Sequence, residues 1–278
     1  SLSADGRTVA FQLGHGQELG IFVVPALGGS PRMLTPAGQS PQISPDGASV
    51  AFATGWLFQA SEIRVVSTAG GPARTVSTGL EWATEPFWAT DGRHLLVWSG
   101  RLDEHLLGLH APRLNPKGLY DYWMVPAAGG VASKTGAAEK IWAAGGIPGV
   151  PFTQPSPTAS ANARGLVIVG SSGDSFDLWL SPFSGSTAPA RATRITLGAG
   201  AAHPSVAAAT GRIAFSRLSI NPGLWVLPLE PSSGRVTGEL GPAWRDNVTV
   251  RYPYVSGDGK KLVYVSPRRR SRRMDSRS

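Results

Sequence analysis

The chain has 278 residues, of which 41% are hydrophobic, so it can bury a core and is not disordered by composition. It contains no cysteine, which excludes disulfides, thiol catalysis and cysteine-ligated metal sites, and no apolar run approaches the roughly 20 residues of a transmembrane helix. The formal net charge is +8, but the last twelve residues hold six arginines and one aspartate, so the rest is close to neutral.

Both ends of the chain carry expectations about the parent protein. The sequence begins Ser-Leu-Ser, without methionine or a signal peptide, so we expect a piece of a longer protein. The basic tail, residues 267–278, is expected to be disordered. Its alternative role is electrostatic binding of a phosphate backbone through Arg268, Arg269, Arg270, Arg272 and Arg273. Because the charge is confined to this tail, we do not expect the body of the chain to bind nucleic acid.

An Asp-Gly turn recurs along the chain in the sequences SADG, SPDG, ATDG and SGDG. The aspartates of these turns are Asp5, Asp46, Asp91 and Asp258. Weaker copies, with Asn162 and Thr210 in the aspartate position, complete six repeats at intervals of about 41 to 48 residues, except for one of about 71. Asp-Gly favours tight hairpin turns, so the aspartates are interpreted as turn formers rather than as calcium ligands or catalytic carboxylates.

Each turn is followed by the same series of predicted strands. The first strand after the turn reads, in chain order, TVAFQ, SVAFAT, HLLVWS, LVIVGS, RIAFS and LVYVS. A loop leads to a further strand, IFVVP, IRVVS, YWMVP, LWLSP or LWVLP, and a small-residue turn leads to a short last strand. A Pro-x-apolar strand precedes each hairpin, as in PQIS, PFWA, PSVA and PYVS. Four short strands in each unit of 40–48 residues predict the blades of a β-propeller.

Two insertions explain the long interval between the third and fourth repeats. Residues 100–119 lengthen one loop and residues 136–153 lengthen a link, and their glycines and prolines predict loops rather than a separate domain. The first insertion contains two histidines and two carboxylates, which are possible zinc ligands. They are Asp103, Glu104, His105 and His110. The histidines are five residues apart, so a solvated loop is favoured over a metal site.

The repeated P-x-(W/I/V)-S-x-D-G, (V/I)-A-F and (I/L)-(F/W)-V-(V/L)-P-x-x-G-G pattern resembles the TolB-type, WD-like β-propeller repeat over about residues 1–266. The resemblance implies an all-β, six-bladed propeller of four-stranded blades, with units starting near residues 1, 40, 85, 154, 203 and 252. The last blade is expected to be incomplete, because the basic tail begins where its third strand should start. The fourth and fifth units lack Asp-Gly, so the repeat predicts their hairpins but does not specify their turn type.

The resemblance also implies a function. We expect a non-catalytic sensory or scaffolding module of a larger bacterial protein, periplasmic or otherwise extracytoplasmic, that binds a peptide, protein segment or small solute at the axial channel. The alternative is the gating propeller of a prolyl-oligopeptidase-type serine peptidase whose catalytic domain lies outside this chain. The sequence itself carries no Gly-x-Ser-x-Gly nucleophile motif, phosphate loop or dinucleotide fingerprint. No enzyme activity, cofactor or metal is therefore expected.

The candidate ligand-binding positions are the residues before the strand-opening prolines. Equivalent positions in successive units form a ring around a propeller axis, and a residue before proline is expected to be extended. These positions are polar or amphipathic and all differ, as a site for one asymmetric ligand requires: Ser40, Glu85, Gln154, His203 and Tyr252. Solvated strand ends are the alternative interpretation.

The nine tryptophans give a weaker indication of a contact surface. Trp123, Trp179 and Trp225 share one strand position with Phe22 and are predicted to pack between blades. Two others fall in loops or insertions and are secondary candidates for ligand contact, Trp56 and Trp142.

Overall fold

The computed structural model describes residues 1–15, 18–55, 61–100, 120–148, 159–162, 165–172, 175–182, 191–207, 210–217, 224–244 and 251–265. By backbone contacts the chain forms two units. The first comprises Ser1–Ser172 with Phe176–Arg217, and the second comprises Gly173–Ser175 with Leu218–Ser278. In the described ranges no helix combines the length and apolar character needed to cross a bilayer.

The first sheet contains strands β1 (Thr8–His15), β2 (Glu18–Pro25) and β3 (Arg32–Thr35), in that order. All pairings are antiparallel. The start of the chain lies beside β1 through a bridge between Leu2 and Val9, in the place of an innermost strand.

The second and third sheets each contain four strands, the number expected for one repeat. The second contains β4 (Gln39–Ile43), β5 (Ser49–Thr54), β6 (Glu62–Ser67) and β7 (Arg74–Thr75), paired in chain order. The third repeats this arrangement with β8 (Thr84–Trp88), β9 (His94–Gly100), β10 (Tyr120–Pro126) and β11 (Ser133–Lys134). Every strand pair in both sheets is antiparallel.

The link to the fourth sheet differs from the predicted loop. It contains helix α1 (Ala137–Ala143), followed by the short strand β12 (Ile147–Pro148). Glycines flank α1, but Ala137, Ala138 and Ile141 turn a buried face toward the sheet, and this burial stabilises a helix too short to persist alone. The prediction that residues 136–153 form a loop was therefore wrong for residues 137–143, which form the helix.

The fourth sheet has a divided inner edge. Its remaining strands are β13 (Ala159–Asn162), β14 (Gly165–Ser172), β15 (Ser175–Pro182) and β16 (Thr193–Arg194). Both β12 and β13 pair with β14, at opposite ends of that strand, so two short segments together occupy the place of one innermost strand.

The last strands form two-stranded antiparallel sheets. In the first unit β17 (Ala201–Ala207) pairs with β18 (Arg212–Arg217). In the second unit β19 (Leu224–Val226) pairs with β20 (Gly241–Trp244), and β21 (Arg251–Val255) pairs with β22 (Leu262–Val265). The predicted final hairpin is confirmed, whereas the expectation of four-stranded blades in the fifth and sixth units stays a prediction.

The Asp-Gly hairpin turns are confirmed in detail. In the second sheet the Ser44 hydroxyl donates to Asp46 Oδ1 at 2.5 Å, and the Ala48 backbone N–H donates to the same oxygen at 3.0 Å. The Ser256–Asp258 turn repeats both contacts. The serine hydroxyl lowers the pKa of Asp46 and of Asp258 below the ordinary aspartate value. These carboxylates are therefore occupied in closing their own turns.

The core lies between successive sheets of the first unit. Val50, Ala51, Phe52 and Ala53 of β5 are all fully buried, so both faces of this strand are covered, as the continuous apolar runs predict. From the second sheet onward, the innermost strands of consecutive units are neighbours: β4 contacts β8, β8 contacts β13, and β13 contacts β17. This order places equivalent positions of successive units beside one another.

Candidate functional site

The strand-opening prolines lie at bulges in the innermost strands. Between β4 and β5, Gln39 pairs with Ala53 and Gln42 with Ala51, so β4 contains one extra residue at Ser40-Pro41. The same register shift occurs between β8 and β9, between β17 and β18, and between β21 and β22. A bulge re-aims the side chain of the extra residue, and bulges are frequent next to binding sites.

The backbone at three of these positions is strained. The φ angles of Ser40, Glu85 and His203 are 54°, 52° and 49°, and these are the non-glycine residues with positive φ in the described ranges. The expectation of an extended residue before proline was therefore wrong at all three. A bulge requires a non-extended residue, and the proline ring disfavours the right-handed helical region, so the left-handed region remains. A side chain held there costs about 1–3 kcal/mol.

Burial alternates sharply across each strained dipeptide. Pro41, Pro86 and Pro204 are buried, while the residue before each proline is accessible. Ser40 and Glu85 are half-buried and His203 is exposed. The proline therefore anchors the strand in the core and the preceding polar side chain stays available to a ligand.

Groups of neighbouring strands lie close to two of the strained residues, Ser40 and Glu85. The Ser40 backbone N–H donates to Gln12 Oε1 of the first sheet at 2.9 Å. Near Glu85, burial raises the pKa of the Tyr122 hydroxyl well above its ordinary value, and the negative charge of Glu85 adds to the effect. The Tyr122 ring lies 4.9 Å from that of Trp98 and 6.0 Å from that of Phe87, so Glu85 stands beside a rigid aromatic cluster.

The other predicted site residues have different outcomes. Tyr252 lies in β21 at the same register shift, in the second unit. Trp142 lies in α1 rather than in a loop and is half-buried. Gln154, Trp56, the histidine-containing insertion and the basic tail lie outside the described residues. Within the described part of the chain, no group of three His, Cys, Asp or Glu side chains could hold a metal ion.

The tryptophans predicted to pack between blades fall into two groups. Trp179 is buried and Trp123 packs partly buried against the core, as predicted. Trp225 is 59% exposed, so its predicted packing role was wrong. It belongs to the short strand β19 in a two-stranded sheet, which covers less of an aromatic side chain than the four-stranded sheets do.

Sequence analysis missed a buried aspartate that recurs at the same position in two sheets, in the strand that follows the hairpin. Asp121 in β10 and Asp177 in β15 are both fully buried. Asp177 forms an ion pair with Arg194 and accepts from the Thr196 hydroxyl at 3.0 Å. Asp121 is 4.0 Å from Lys134, its Oδ2 has no hydrogen-bond partner among the described residues, and burial raises its pKa. Aligning the third strands (DYWMVP, DLWLSP) would have revealed the position, although not the difference in partners.

Comparisons with known proteins find similar solved structures, all of low sequence identity. No family model and no curated protein sequence matches it. Among solved structures, a putative TolB from Agrobacterium tumefaciens is 19% identical over 70% of this chain and 63% of its own, with a TM-score of 0.46. TolB from Acinetobacter baumannii is 12% identical over 99% of this chain and 54% of its own, with a TM-score of 0.49.

A peptidase propeller is also similar. The β-propeller domain of the Trilobed protease from Pyrococcus furiosus is 14% identical over 94% of this chain and 88% of its own, with a TM-score of 0.44. The chain spans less than two thirds of each of the two TolB structures. The TolB-type resemblance predicted from the repeat is therefore also found among solved structures.

Proposed function

We propose that the chain is a non-catalytic binding module that uses the strained residues before the buried prolines to hold a peptide or protein segment. The observation that carries this proposal is the coincidence of three features at Ser40, Glu85 and His203: a bulge, a positive φ and an accessible polar side chain. Glycine would satisfy the same backbone at lower cost. Strain that is kept with a side chain in place is typical of functional positions.

The chemistry of the three side chains suits a polypeptide ligand. A hydroxyl, a carboxylate and an imidazole offer both donors and acceptors to backbone amides and to polar side chains. Ser40 and Glu85 begin neighbouring innermost strands, β4 and β8, so one extended segment can contact both. Participation of Gln154 and Tyr252, and an extracytoplasmic location, remain proposals that rest on the repeat and its resemblance.

Glycine substitution tests the proposal because it separates binding from stability. The triple variant Ser40→Gly, Glu85→Gly, His203→Gly removes all three side chains while easing the backbone. We expect a melting temperature equal to or above that of the parent chain. On an immobilised array of short synthetic peptides, the variant should lose the signals that the parent chain gives by about tenfold or more, since each lost polar contact contributes measurably.

A matched control is Gln42→Gly in the same strand. Gln42 is half-buried and follows the bulge, so glycine there weakens the strand by about 0.5–1 kcal/mol without removing a proposed contact. It should lower the melting temperature and leave the array pattern unchanged. An unchanged pattern in the triple variant would move the binding site elsewhere, and peptide hydrolysis that is lost on a single side-chain substitution would contradict a non-catalytic role.

A further inference from the structure

A groove of about 450 Å³ lies between the second and third sheets, and we call it the junction groove. Its walls include Ser44, Asp46, Arg74, Trp88, Arg93 and Ala127. Ser44 and Asp46 follow the end of β4, and Arg93 follows the end of β8. The junction groove and the strained residues at Ser40 and Glu85 therefore lie at opposite ends of the same two strands.

One arginine of the groove is anchored to the neighbouring sheet. The Arg74 Nη2 donates to the backbone carbonyl of Ala127 at 2.7 Å, which links β7 to the turn after β10. A guanidinium has five N–H donors, and the others of Arg74 have no partner in the described parts of the chain. The charge of Arg74 is thus positioned but not neutralised.

The second arginine is held by its backbone alone. The Ala127 N–H donates to the Arg93 carbonyl at 2.8 Å, and the Arg93 N–H donates to Asp91 Oδ1 at 2.8 Å. The Arg93 side chain is exposed, and within the described ranges it makes no hydrogen bond or ion pair. This cation is available to a ligand in the groove.

The other polar and aromatic walls complete the recognition surface. Asp46 accepts hydrogen bonds from the Ser44 hydroxyl and from the Ala48 N–H, so its carboxylate is already hydrogen-bonded within its own turn. The Trp88 indole donates to the Gln42 carbonyl at 3.1 Å, which fixes the orientation of a half-buried ring. The groove therefore presents two cations, one engaged carboxylate and an apolar ring face.

The preceding junction, between the first and second sheets, has an anchoring arginine but lacks the second arginine and the tryptophan of the junction groove. Arg32 takes the place of Arg74 and donates to the backbone carbonyls of Thr68 and Ala69. Ile43 and Ala48 occupy the positions equivalent to Trp88 and Arg93. The anchoring arginine is thus a repeated structural element, whereas Arg93 and Trp88 distinguish the junction between the second and third sheets.

We propose that the junction groove binds a short acidic segment of a partner protein, in addition to the ligand of the strained residues. Its volume falls in the range of ligand pockets and exceeds what a single inorganic anion fills. Two guanidinium groups match carboxylates in charge and geometry. The face of the Trp88 ring accommodates an apolar residue between the acidic residues of the segment. The negative charge of Asp46 repels a ligand with a higher density of negative charge, such as a polyanion.

A charge-matched peptide set tests this proposal. The probes are fluorescein-labelled Glu-Leu-Glu-Leu-Glu and its glutamine and lysine counterparts, measured by fluorescence polarisation with the full chain. We expect the glutamate peptide to bind at least about tenfold more tightly than the others, and Arg93→Ala to remove that advantage. Arg32→Ala, at the equivalent anchor of the preceding junction, should change the affinity by less than about twofold.

Two further measurements locate the interaction and keep it falsifiable. A photo-crosslinking version of the glutamate peptide should label residues 88–93 or 127–128. Arg93→Glu should transfer the preference to the lysine peptide while keeping the melting temperature, since Arg93 is exposed. Crosslinks confined to the basic tail, unchanged binding by Arg93→Ala, or displacement by millimolar inorganic phosphate at constant ionic strength would each overturn the proposal.

Discussion

The hairpin β4–β5 in the middle of the chain and the hairpin β21–β22 near its end share their local design but differ in surroundings. Both open with a proline bulge, close with a Ser-x-Asp-Gly turn, and have the same register. In the first, Val50 and Ala51 are fully buried. In the second, the equivalent Val263 is 69% exposed, and Val255 is 62% exposed. Turn chemistry therefore forms a hairpin, while neighbouring sheets decide whether it becomes part of a core.

Hydrogen exchange should show the largest difference between the two hairpins. β5 lies between β4 and β6, whereas β22 has β21 as its partner in the described residues. Amides of β5 should exchange only on global unfolding, which needs about 5–15 kcal/mol, and those of β22 should exchange through much cheaper local opening. Exchange resolved by mass spectrometry measures both in one experiment. Equal protection would mean that β22 is covered as well as β5.

Matched aromatic truncations sharpen the comparison. Phe52 and Tyr264 occupy equivalent strand positions, but Phe52 is fully buried and Tyr264 is half-buried. Phe52→Ala should cost about 3–5 kcal/mol through lost burial and the cavity left behind. Tyr264→Ala should cost about 1 kcal/mol or less. Urea denaturation midpoints measure both, and similar losses would contradict the difference in surroundings.

A second comparison is between the two buried aspartates, Asp177 in β15 and Asp121 in β10. Asp177→Asn removes the buried carboxylate that forms an ion pair with Arg194, although Asn keeps an acceptor for Thr196 and Ala199. We expect a loss of about 2–3 kcal/mol in the free energy of unfolding, because a buried ion-pair interaction is lost. Arg194→Met with Asp177→Asn should recover part of that loss. No recovery would show that the pair does not act as a unit.

Asp121 lies at the position equivalent to Asp177, but its replacement by asparagine should stabilise the folded chain rather than destabilise it. Burial raises its pKa above the ordinary aspartate value of 3.8, so the folded chain loses stability as pH rises through the raised pKa. Asp121→Asn keeps the Oδ1 that accepts from Ala138 and Tyr122 and removes the charge. The substitution should raise the free energy of unfolding at pH 8 and leave it unchanged at pH values below the ordinary aspartate pKa. Urea unfolding at both pH values tests this, and a loss at pH 8 would contradict it.

The smallest expected effect tests whether the two turns are locally equivalent. The Ser44 and Ser256 hydroxyls lower the pKa of Asp46 and Asp258, so the stability they contribute is present above the ordinary value of 3.8 and is lost as pH falls through the lowered pKa. Ser44→Ala and Ser256→Ala should raise the pKa of the adjacent aspartate by similar amounts in a carboxyl NMR titration. A pKa shift in only one of the two turns would mean that the surroundings of that turn, rather than its own sequence, set the pKa of its aspartate.

Sequence reasoning predicted the repeated hairpins because their information is local. Ser-Pro-Asp-Gly specifies its turn through contacts within six residues, and the apolar runs of β5, β9 and β14 specify strands covered on both faces. The prolines also marked the dipeptides at which the innermost strands bulge. These features require no knowledge of which sheets are neighbours.

The tertiary structure alone decided the features that depend on distant partners. The positive φ of Glu85 follows from a bulge opposite β9, and α1 forms because its apolar face packs on the third and fourth sheets. Arg93 became a candidate ligand-binding residue only when β7 and the turn after β10 were found around it. Local sequence sets which turn and strand can form. The shape of the groove instead depends on contacts between residues more than forty positions apart, such as Arg74 with Ala127 and Trp88 with Gln42, and these contacts decide what each repeat can do.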